Sequence, residues 1–347
     1  MSNINNLVVL DLFCGCGGLS NGFEKAGYYI KYGIDNWKDA LATFKNNHNN
    51  SIAINEDLSI ENSEVIIKKY GFNDVDIIIG GPPCQGYSIA GKRQLDDERN
   101  VYYKSFLKFV EILNPKIFLM ENVPNILSMG GGVVKENIKN DFDKINFNVV
   151  TEKLLASDYG VPQNRYRAFF VGLRNQDEFQ FPQKLGLEKV SVEKAISDLP
   201  DENLINGHKY ICRPMSKYQK YIRNDSAGIY NHQLTNHAKK TSEIISMVPD
   251  GGNYKDLPKD LWSTRKVNIA WTRLNSKLPS FTIDTGHRHH FHYKFNRVPT
   301  VRESARIQAF SDKFIFHGSK TSQYKQVGNA VPPLLAKELA KSMKHYI

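Results

Sequence analysis

Apolar and polar residues alternate along the first half of the chain in blocks that predict strands and helices in turn. Short apolar runs predict strands, and longer stretches with apolar residues three or four positions apart predict helices. The predicted strands are Leu7–Phe13, Tyr29–Asp35, Val75–Ile79, Lys116–Met120, Phe147–Leu154 and Ala168–Leu173, and the predicted helices include Leu19–Ala26, Lys38–Asn46 and Tyr102–Leu113. This alternation predicts an α/β fold with a doubly wound, mostly parallel sheet, whose ligands bind at the carboxyl ends of the strands.

The second half of the chain is patterned differently. From about Phe181 the periodicity becomes irregular, and loop-forming clusters such as Pro249–Asn253 appear. Helical spacing returns after Val301, and a final helix is predicted over Leu334–Met343 behind two prolines. We therefore expect a first domain of residues 1–180 and 321–347, a smaller loop-rich domain of residues 181–300, and a hinge region of residues 301–320.

Charge and cysteine content narrow the class of protein. Lys and Arg exceed Asp and Glu by 46 to 36, a formal net charge of +10, which favours a polyanionic partner without requiring one. No segment is apolar over a length that could span a membrane. The four cysteines are too few and too irregularly spaced for a disulfide framework, which favours the reducing cytoplasm.

A glycine-rich turn, Asp11–Gly18, joins the first predicted strand to the first helix. Such a turn brings backbone amides close to a ligand at a helix N-terminus, and Asp35 ends the next strand where a carboxylate can bind ribose hydroxyls. The pair favours an adenosine-containing cofactor and leaves NAD and S-adenosylmethionine both open. Cys14 and Cys16 suggest a metal pair, but no second pair with zinc-like spacing follows, so we predict no metal site.

Three further segments carry candidate chemistry. Cys84 lies in the rigid turn Gly80–Gln85 behind an apolar strand, where a thiolate could act as a nucleophile; an ordinary turn with a structural cysteine is the alternative. Glu121 ends another strand and could donate a proton, although a helix cap or a surface ion pair would look the same. Arg165 and Arg167 lie two residues apart, so on an extended segment they point the same way and can hold an anion or a carbonyl oxygen.

Together these segments resemble the DNA cytosine-5 methyltransferase family of the prokaryotic, restriction-modification type. The matching motifs occur in family order: Asp11–Gly18, Gly80–Gln85, Glu121–Val123, Gln163–Arg167, Arg302–Phe310 and Gln326–Pro333. Two positions depart from the pattern. Ser311 replaces a common proline, and Asn36 replaces a larger apolar side chain that packs on adenine, a role Trp37 could take over.

The resemblance implies a methyltransferase fold, S-adenosylmethionine as the cofactor, and methyl transfer to C5 of a flipped-out cytosine in double-stranded DNA through a covalent bond from Cys84 to C6. Glu121 would act at N3, Arg167 at O2, and Arg165 would support the site. The implied cofactor-binding residues are Phe13, Gly15, Gly17, Asp35, Asn36, Asp57, Leu58, Pro82 and Asn329. The loop-rich domain of residues 181–300 would recognise the target sequence, and the remainder of the fold would bind the cofactor.

Flipping a base out of the duplex requires contacts with the DNA. The polar segment Gly86–Asn100 is interpreted as a loop that closes over the DNA. We predict DNA contacts for Gln85, Ser88, Arg99, Arg273 and Arg288. A phosphate-tracking surface is predicted for Arg213, Lys217, Lys220 and Arg223, interleaved with Tyr210, Tyr218 and Tyr221. We expect a monomer, and a cognate restriction endonuclease that acts on the same site without a stable complex.

Three other interpretations compete with this one. The tRNA-methylating branch of the family shares these motifs but usually carries a Cys-Phe-Thr tripeptide, which does not occur in this chain. A degenerate fold that only binds DNA would not need to retain Cys84, Glu121 and Arg167 together. An NAD-dependent oxidoreductase leaves the Pro-Cys-Gln turn unexplained.

Overall fold

A computed structural model describes residues 7–83, 102–174, 177–264, 271–284 and 290–347. The chain divides into two compact units. The first, here called the sheet unit, comprises Met1–Leu155, Tyr166–Lys184 and Leu335–Ile347, and the second unit comprises Ala156–Arg165 and Leu185–Leu334.

The sheet unit is built on seven strands in the order β3-β2-β1-β4-β5-β7-β6. They are β1 (Val8–Leu12), β2 (Tyr29–Asp35), β3 (Ile52–Asn55), β4 (Ile77–Gly80), β5 (Ile117–Asn122), β6 (Asn148–Leu155) and β7 (Tyr166–Leu173). The first five are mutually parallel, and β7 runs antiparallel to both β5 and β6. The predicted doubly wound, mostly parallel sheet is confirmed.

Amphipathic helices cover this sheet. They are α1 (Gly18–Lys25), α2 (Lys38–Asn47), α3 (Ile60–Tyr70), α4 (Tyr102–Leu113) and α5 (Val133–Asp143). In α4 the buried side chains Phe106, Phe109 and Val110 recur at helical spacing, so one face enters the core. Phe118 of β5 stacks on Phe142 of α5 with ring centroids 4.2 Å apart. The central parallel strands β1, β4 and β5 are buried on both faces, which explains why their sequences are largely apolar.

The C-terminal helix α11 (Pro333–Met343) contributes to the sheet unit from Leu335 onward. The Tyr28 hydroxyl donates a hydrogen bond of 3.0 Å to the carbonyl of Ala340. The end of the chain therefore groups with the first unit. Residues 321–334, which the predicted domain limits place with it, group instead with the second unit.

The second unit has short elements joined by long loops. Its described elements are α6 (Val192–Ile196), α7 (Lys217–Ile222), α8 (Lys239–Met247), β8 (Thr272–Arg273), β9 (His290–Phe291), α9 (Val301–Ile307) and α10 (Lys320–Asn329). Helix α9 begins with a capping box, in which Thr300 accepts from the Glu303 amide and the Glu303 side chain accepts from Thr300. No described helix of either unit is long and apolar enough to cross a membrane.

Candidate active site

The glycine-rich turn after β1 is held to the end of β2 by a carboxylate. Asp35 accepts hydrogen bonds of 2.8 Å from the amides of Gly15 and Trp37. Burial raises the pKa of Asp35 despite these amide donors, which stabilise the charged form. The predicted register between the turn and Asp35 is thus present as a direct contact, and Phe13 in the same turn adopts a left-handed backbone with φ 56°.

The segment after β3 adds two more predicted residues, Asp57 and Leu58, to this edge of the sheet. Asn36 donates a hydrogen bond of 3.2 Å to Asp57, and both side chains are exposed. Leu58 follows with its side chain buried. An exposed amide and carboxylate beside the Asp35 carboxylate form a polar rim, which suits a ligand bearing hydroxyl and amino groups.

Asp11 is a polar residue of the turn whose role the sequence did not reveal. It is buried, accepts a hydrogen bond of 2.6 Å from the Ser20 hydroxyl through Oδ2, and has no hydrogen-bond partner for Oδ1 among the described residues. Burial raises the pKa of Asp11 to about 7. The only sequence signal was an acidic residue at the end of an otherwise apolar strand.

Cys14 and Cys16 are buried in the same turn. Burial raises the pKa of Cys14 well above its ordinary value and that of Cys16 to about 12. Both thiols are therefore protonated at neutral pH, which makes them poor nucleophiles.

A second group of residues meets at the ends of β4, β5 and β7. Arg167 Nε lies 2.7 Å from Glu121 Oε1, and the two side chains are only 14% and 12% exposed. A Cβ atom on Gly81 would lie 3.0 Å from Glu121 Oε2, so the carboxylate stands directly beside the turn that leads to Cys84. Burial lowers the pKa of Arg167 while Glu121 opposes that shift, and the guanidinium remains charged.

Asn122 ties the same turn to β5. Its amide donates a hydrogen bond of 3.2 Å to the carbonyl of Pro82, and its own carbonyl oxygen accepts from the Val123 amide. The Glu-Asn-Val motif therefore presents a carboxylate with its first residue and fixes the proline turn with its second. Pro82 is buried, as expected of a residue that shapes this turn.

The Gln-x-Arg-x-Arg motif is divided between the two units. Arg167 belongs to the sheet unit, whereas Gln163 and Arg165 lie in the second unit. Arg165 is fully buried and donates a hydrogen bond of 2.7 Å to the carbonyl of Gly328. Arg165 therefore fixes the backbone at Gly328, and Asn329 is exposed one residue beyond this acceptor.

The prediction that Arg273 contacts DNA conflicts with its position. Its side chain is buried and donates five hydrogen bonds within the second unit. Four acceptors are the backbone carbonyls of Ile245, Val248, His292 and Phe295, and the fifth is the Asn296 side chain. Because its donors are used inside the fold, Arg273 organises loops and is not presented to base edges.

The predicted phosphate-tracking surface is partly corrected as well. Arg213, Lys217 and Lys220 are exposed, but Arg223 is engaged with Asp198 at 3.0 Å and its guanidinium lies 3.6 Å from the ring centroid of Tyr210. Tyr218 is buried, and its hydroxyl donates to the carbonyl of Arg306. The spacing of basic and aromatic residues could not distinguish those that build the core from those that face solvent.

The remaining predicted site residues lie outside the described residues. They are Cys84, Gln85, Ser88, Arg99 and Arg288.

Residues 7–345 match the family model described as C-5 cytosine-specific DNA methylase. The type II methyltransferase M.DdeI of Desulfomicrobium norvegicum is 38% identical over 97% of this chain and 88% of its own length. M1.HphI of Haemophilus parahaemolyticus is 34% identical over 97% of this chain and 87% of its own.

Solved structures show the same architecture. A DNA modification methyltransferase encoded within an E. coli prophage superposes with a TM-score of 0.80 at 29% identity, covering 98% of this chain and 99% of that one. The DNMT2 protein of Spodoptera frugiperda shares the fold with a TM-score of 0.57 at 19% identity, covering 97% of this chain and 99% of its own.

Proposed function

The chain belongs to the C-5 cytosine-specific DNA methylase family and is a DNA cytosine-5-methyltransferase, and from this premise we propose that it methylates a flipped-out cytosine within a specific double-stranded sequence. The methyl donor is S-adenosylmethionine. The enzyme is the modification partner in a type II restriction-modification system and works as a cytoplasmic monomer. The observation that carries the proposal is the Glu121–Arg167 pair beside the Gly81–Pro82 turn.

The turn after β1 fits the proposed cofactor. Asp35 is an ionisable acceptor at the end of β2, Asn36 and Asp57 supply further polar groups, and Oδ1 of Asp11 has unused hydrogen-bonding capacity among the described residues. A Cβ on Gly15 would meet no atom within 4 Å, which indicates open space beside the turn. When bound, S-adenosylmethionine supplies an electrophilic methyl group on a sulfonium. Asn329 is proposed to line the same ligand.

Cytosine C5 is a weak nucleophile, so the protein must first add electron density to the ring. Cys84, as the thiolate, forms a bond to C6, and Glu121 hydrogen-bonds or protonates N3 to neutralise the developing charge. C5 would then take the methyl group, the electron pair of the broken S–CH3 bond would stay on sulfur as a neutral thioether, and a proton given to N3 would return to Glu121. A base, which can be water, removes the C5 proton, and the electron pair that returns to the ring expels the Cys84 thiolate. Proton transfer assistance by a group such as Glu121 typically contributes about 10²–10⁴-fold in rate.

Arg167 has two proposed roles in this reaction. Its Nε contact orients the Glu121 carboxylate, and the guanidinium has further donors that can hold the O2 oxygen of cytosine. The second unit would supply the contacts that offset base flipping, which costs a few kcal/mol. Its exposed residues Arg213, Lys217 and Lys220 are proposed to contact phosphates. Arg99 and Arg288 remain proposed DNA contacts from the sequence alone.

Bisulfite sequencing of a mixed-sequence plasmid, incubated with the purified protein and S-adenosylmethionine, tests the proposal. Protected cytosines confined to one short recurring sequence are expected, and their loss in Cys84→Ser would support the covalent route. Cys212→Ser is a matched control, because Cys212 is part of none of these motifs and its thiol contacts the carbonyl of Asp198. Absence of protection together with methylation of tRNA would show that tRNA, and not DNA, is the substrate. Turnover by Cys84→Ser within a few-fold of wild type would overturn the covalent mechanism.

A further inference from the structure

His48 is a buried histidine that the proposed mechanism does not use. It follows the last residue of α2, and its side chain is fully buried. An ideal Cβ atom on Gly17 would lie 2.3 Å from His48 Nε2 and 2.8 Å from its Cδ2. The imidazole is therefore packed directly against the backbone of the glycine-rich turn, in the space that a side chain on Gly17 would need.

Gly17 is the point at which this turn becomes helix α1. It is the N-cap of the helix with φ 91°, its amide donates to the Cys14 carbonyl at 2.8 Å, and its own carbonyl accepts from Asn21. A left-handed backbone at this position is readily adopted only by glycine. A side chain that presses on Gly17 thus acts on the residue whose conformation orients the preceding amides, including that of Gly15.

His48 is itself held from two sides. Its ring packs against Phe44 with centroids 4.5 Å apart, and the Phe44 ring occupies the space above Gly33, where a Cβ would lie 2.3 Å from Phe44 Cζ. On the other side, His48 Nδ1 lies 2.8 Å from Glu24 Oε2 in the last turn of α1. The histidine therefore connects the end of α2 to both ends of α1.

We infer that His48 is a positioning residue for the cofactor: through Gly17 it sets the conformation of the turn whose amides approach the ligand, and Glu24 keeps its ring in place. This inference rests on the proposed function, since it assigns the turn to S-adenosylmethionine. The turn is then fixed at two points, with the Asp35 carboxylate holding Gly15 and the His48 ring holding Gly17.

A double-mutant cycle on cofactor affinity tests this role. The four proteins are the wild type, His48→Ala, Gly17→Ala and the double variant, and the dissociation constant for S-adenosylhomocysteine is measured by calorimetry well below each melting temperature. We expect His48→Ala to raise the dissociation constant about 5- to 10-fold, with kcat at saturating S-adenosylmethionine within about twofold of wild type. Gly17→Ala should raise it at least about tenfold, and by a clearly smaller factor when His48 is already alanine, because the colliding ring is gone. The strain of the left-handed backbone and the contact of the new Cβ with Phe44 Cδ2, at 3.0 Å, remain in both backgrounds.

Two further variants separate positioning from general stability. Glu24→Gln keeps the ring and removes a charge, so a rise of only about two- to threefold is expected. His345→Ala, at an exposed histidine of the same unit, should leave affinity unchanged. Additive effects of the two alanines, or a lower melting temperature with unchanged affinity in His48→Ala, would overturn the inference. Failure of the wild type itself to bind the ligand would instead remove the proposed function.

Discussion

Buried ion pairs occur in both units, but they are built differently. In the sheet unit, Glu121 and Arg167 form a pair at the strand ends, with 12–14% of each side chain still exposed. In the second unit, Arg306 is fully buried between two carboxylates: it donates to Asp312 at 2.7 and 2.9 Å and also to Asp198. Asp312 further accepts from the Tyr210 hydroxyl.

This difference distinguishes a charged side chain that can act on a ligand from one that stabilises the fold. Asp198 and Asp312 have guanidinium groups on each side, and the positive charge of Arg306 lowers the pKa of Asp312 despite its burial. Glu121 borders the turn at Gly81, and 12% of its side chain remains exposed. A closed network serves folding, since every charge in it is compensated by protein groups. An open pair leaves capacity for a ligand.

The largest expected effect is on catalysis at the open pair. Glu121→Gln retains the shape of the side chain and a hydrogen-bonding oxygen for Arg167 but removes the ionisable proton, so kcat should fall about 10²–10⁴-fold. The melting temperature should change little. Methyl transfer to DNA and thermal unfolding are the two measurements. Glu136→Gln, at an exposed pair with Lys135, is the control that should retain activity. Turnover by Glu121→Gln within threefold of wild type would show that the carboxyl group is not the proton source.

The closed network should give the opposite outcome. Arg306→Met leaves Asp198 and Asp312 buried without their shared partner, and removal of one member of such a pair costs about 3–5 kcal/mol of unfolding free energy. Urea denaturation measures this loss. Lys277→Met, at an exposed pair with Glu193, should change the free energy by less than about 0.5 kcal/mol. A comparably small loss for Arg306→Met would contradict the distinction drawn between the two kinds of pair.

A smaller effect is expected from pH. His292 Nδ1 accepts hydrogen bonds of 3.0 Å from the amides of Lys294 and Phe295, so protonation of that nitrogen would break both. Burial lowers the pKa of His292 to about 4, although Glu303 and Asp201 oppose the shift and Arg297 and Arg273 add to it.

Because the folded state favours neutral His292, its contribution to stability is complete above about pH 6.5, the ordinary value for histidine. It should be lost progressively as the pH falls to about 4, with a slope of at most about 1.4 kcal/mol per pH unit. Urea denaturation across this range measures the slope, and His292→Asn should flatten it. An unchanged slope in that variant would assign the titration to another group.

The smallest effect concerns the exposed basic residues. Lys220→Ala should reduce the slope of log binding constant against log salt concentration by about 0.9 and leave the preferred sequence unchanged. Fluorescence anisotropy on target and scrambled duplexes measures both quantities. Lys45→Ala, at an exposed position of α2, is the matched control. A change of sequence preference in Lys220→Ala would mean that Lys220 contacts a base rather than a phosphate.

The sheet unit was predictable because its local signals agree with its tertiary structure. The limits of β2 and α4 coincide with the predicted Tyr29–Asp35 and Tyr102–Leu113. Parallel strands place their carboxyl ends on one edge, so Asp35, Glu121 and the Gly80–Pro82 turn could be assigned to that edge from strand limits alone. The contact between Glu121 and Arg167 also depends on β7 running antiparallel beside β5, which periodicity does not specify.

The second unit was less predictable because its residues are defined by long-range contacts. Nothing in the local sequence distinguishes Arg273, whose donors are satisfied internally, from the exposed Arg213. His48 was missed for a related reason. It occurs as an isolated histidine behind a helix, and its significance arises only from its contact with Gly17, 31 positions earlier in the chain.

The loop between β6 and β7 has a consequence for exchanging the second unit between relatives. Residues 156–165 leave the sheet and join the second unit, where Ser280 exchanges backbone hydrogen bonds of 2.9 and 2.7 Å with Pro162 and Asn164. The second unit is therefore discontinuous in the gene. A chimera that takes only residues 185–334 from a relative would combine Ser280 of one protein with Pro162 and Asn164 of the other, so these hydrogen bonds would join residues that do not come from the same protein. Exchange of residues 156–165 together with residues 185–334 keeps the hydrogen bonds of Ser280 with Pro162 and Asn164 between residues of the same parent protein.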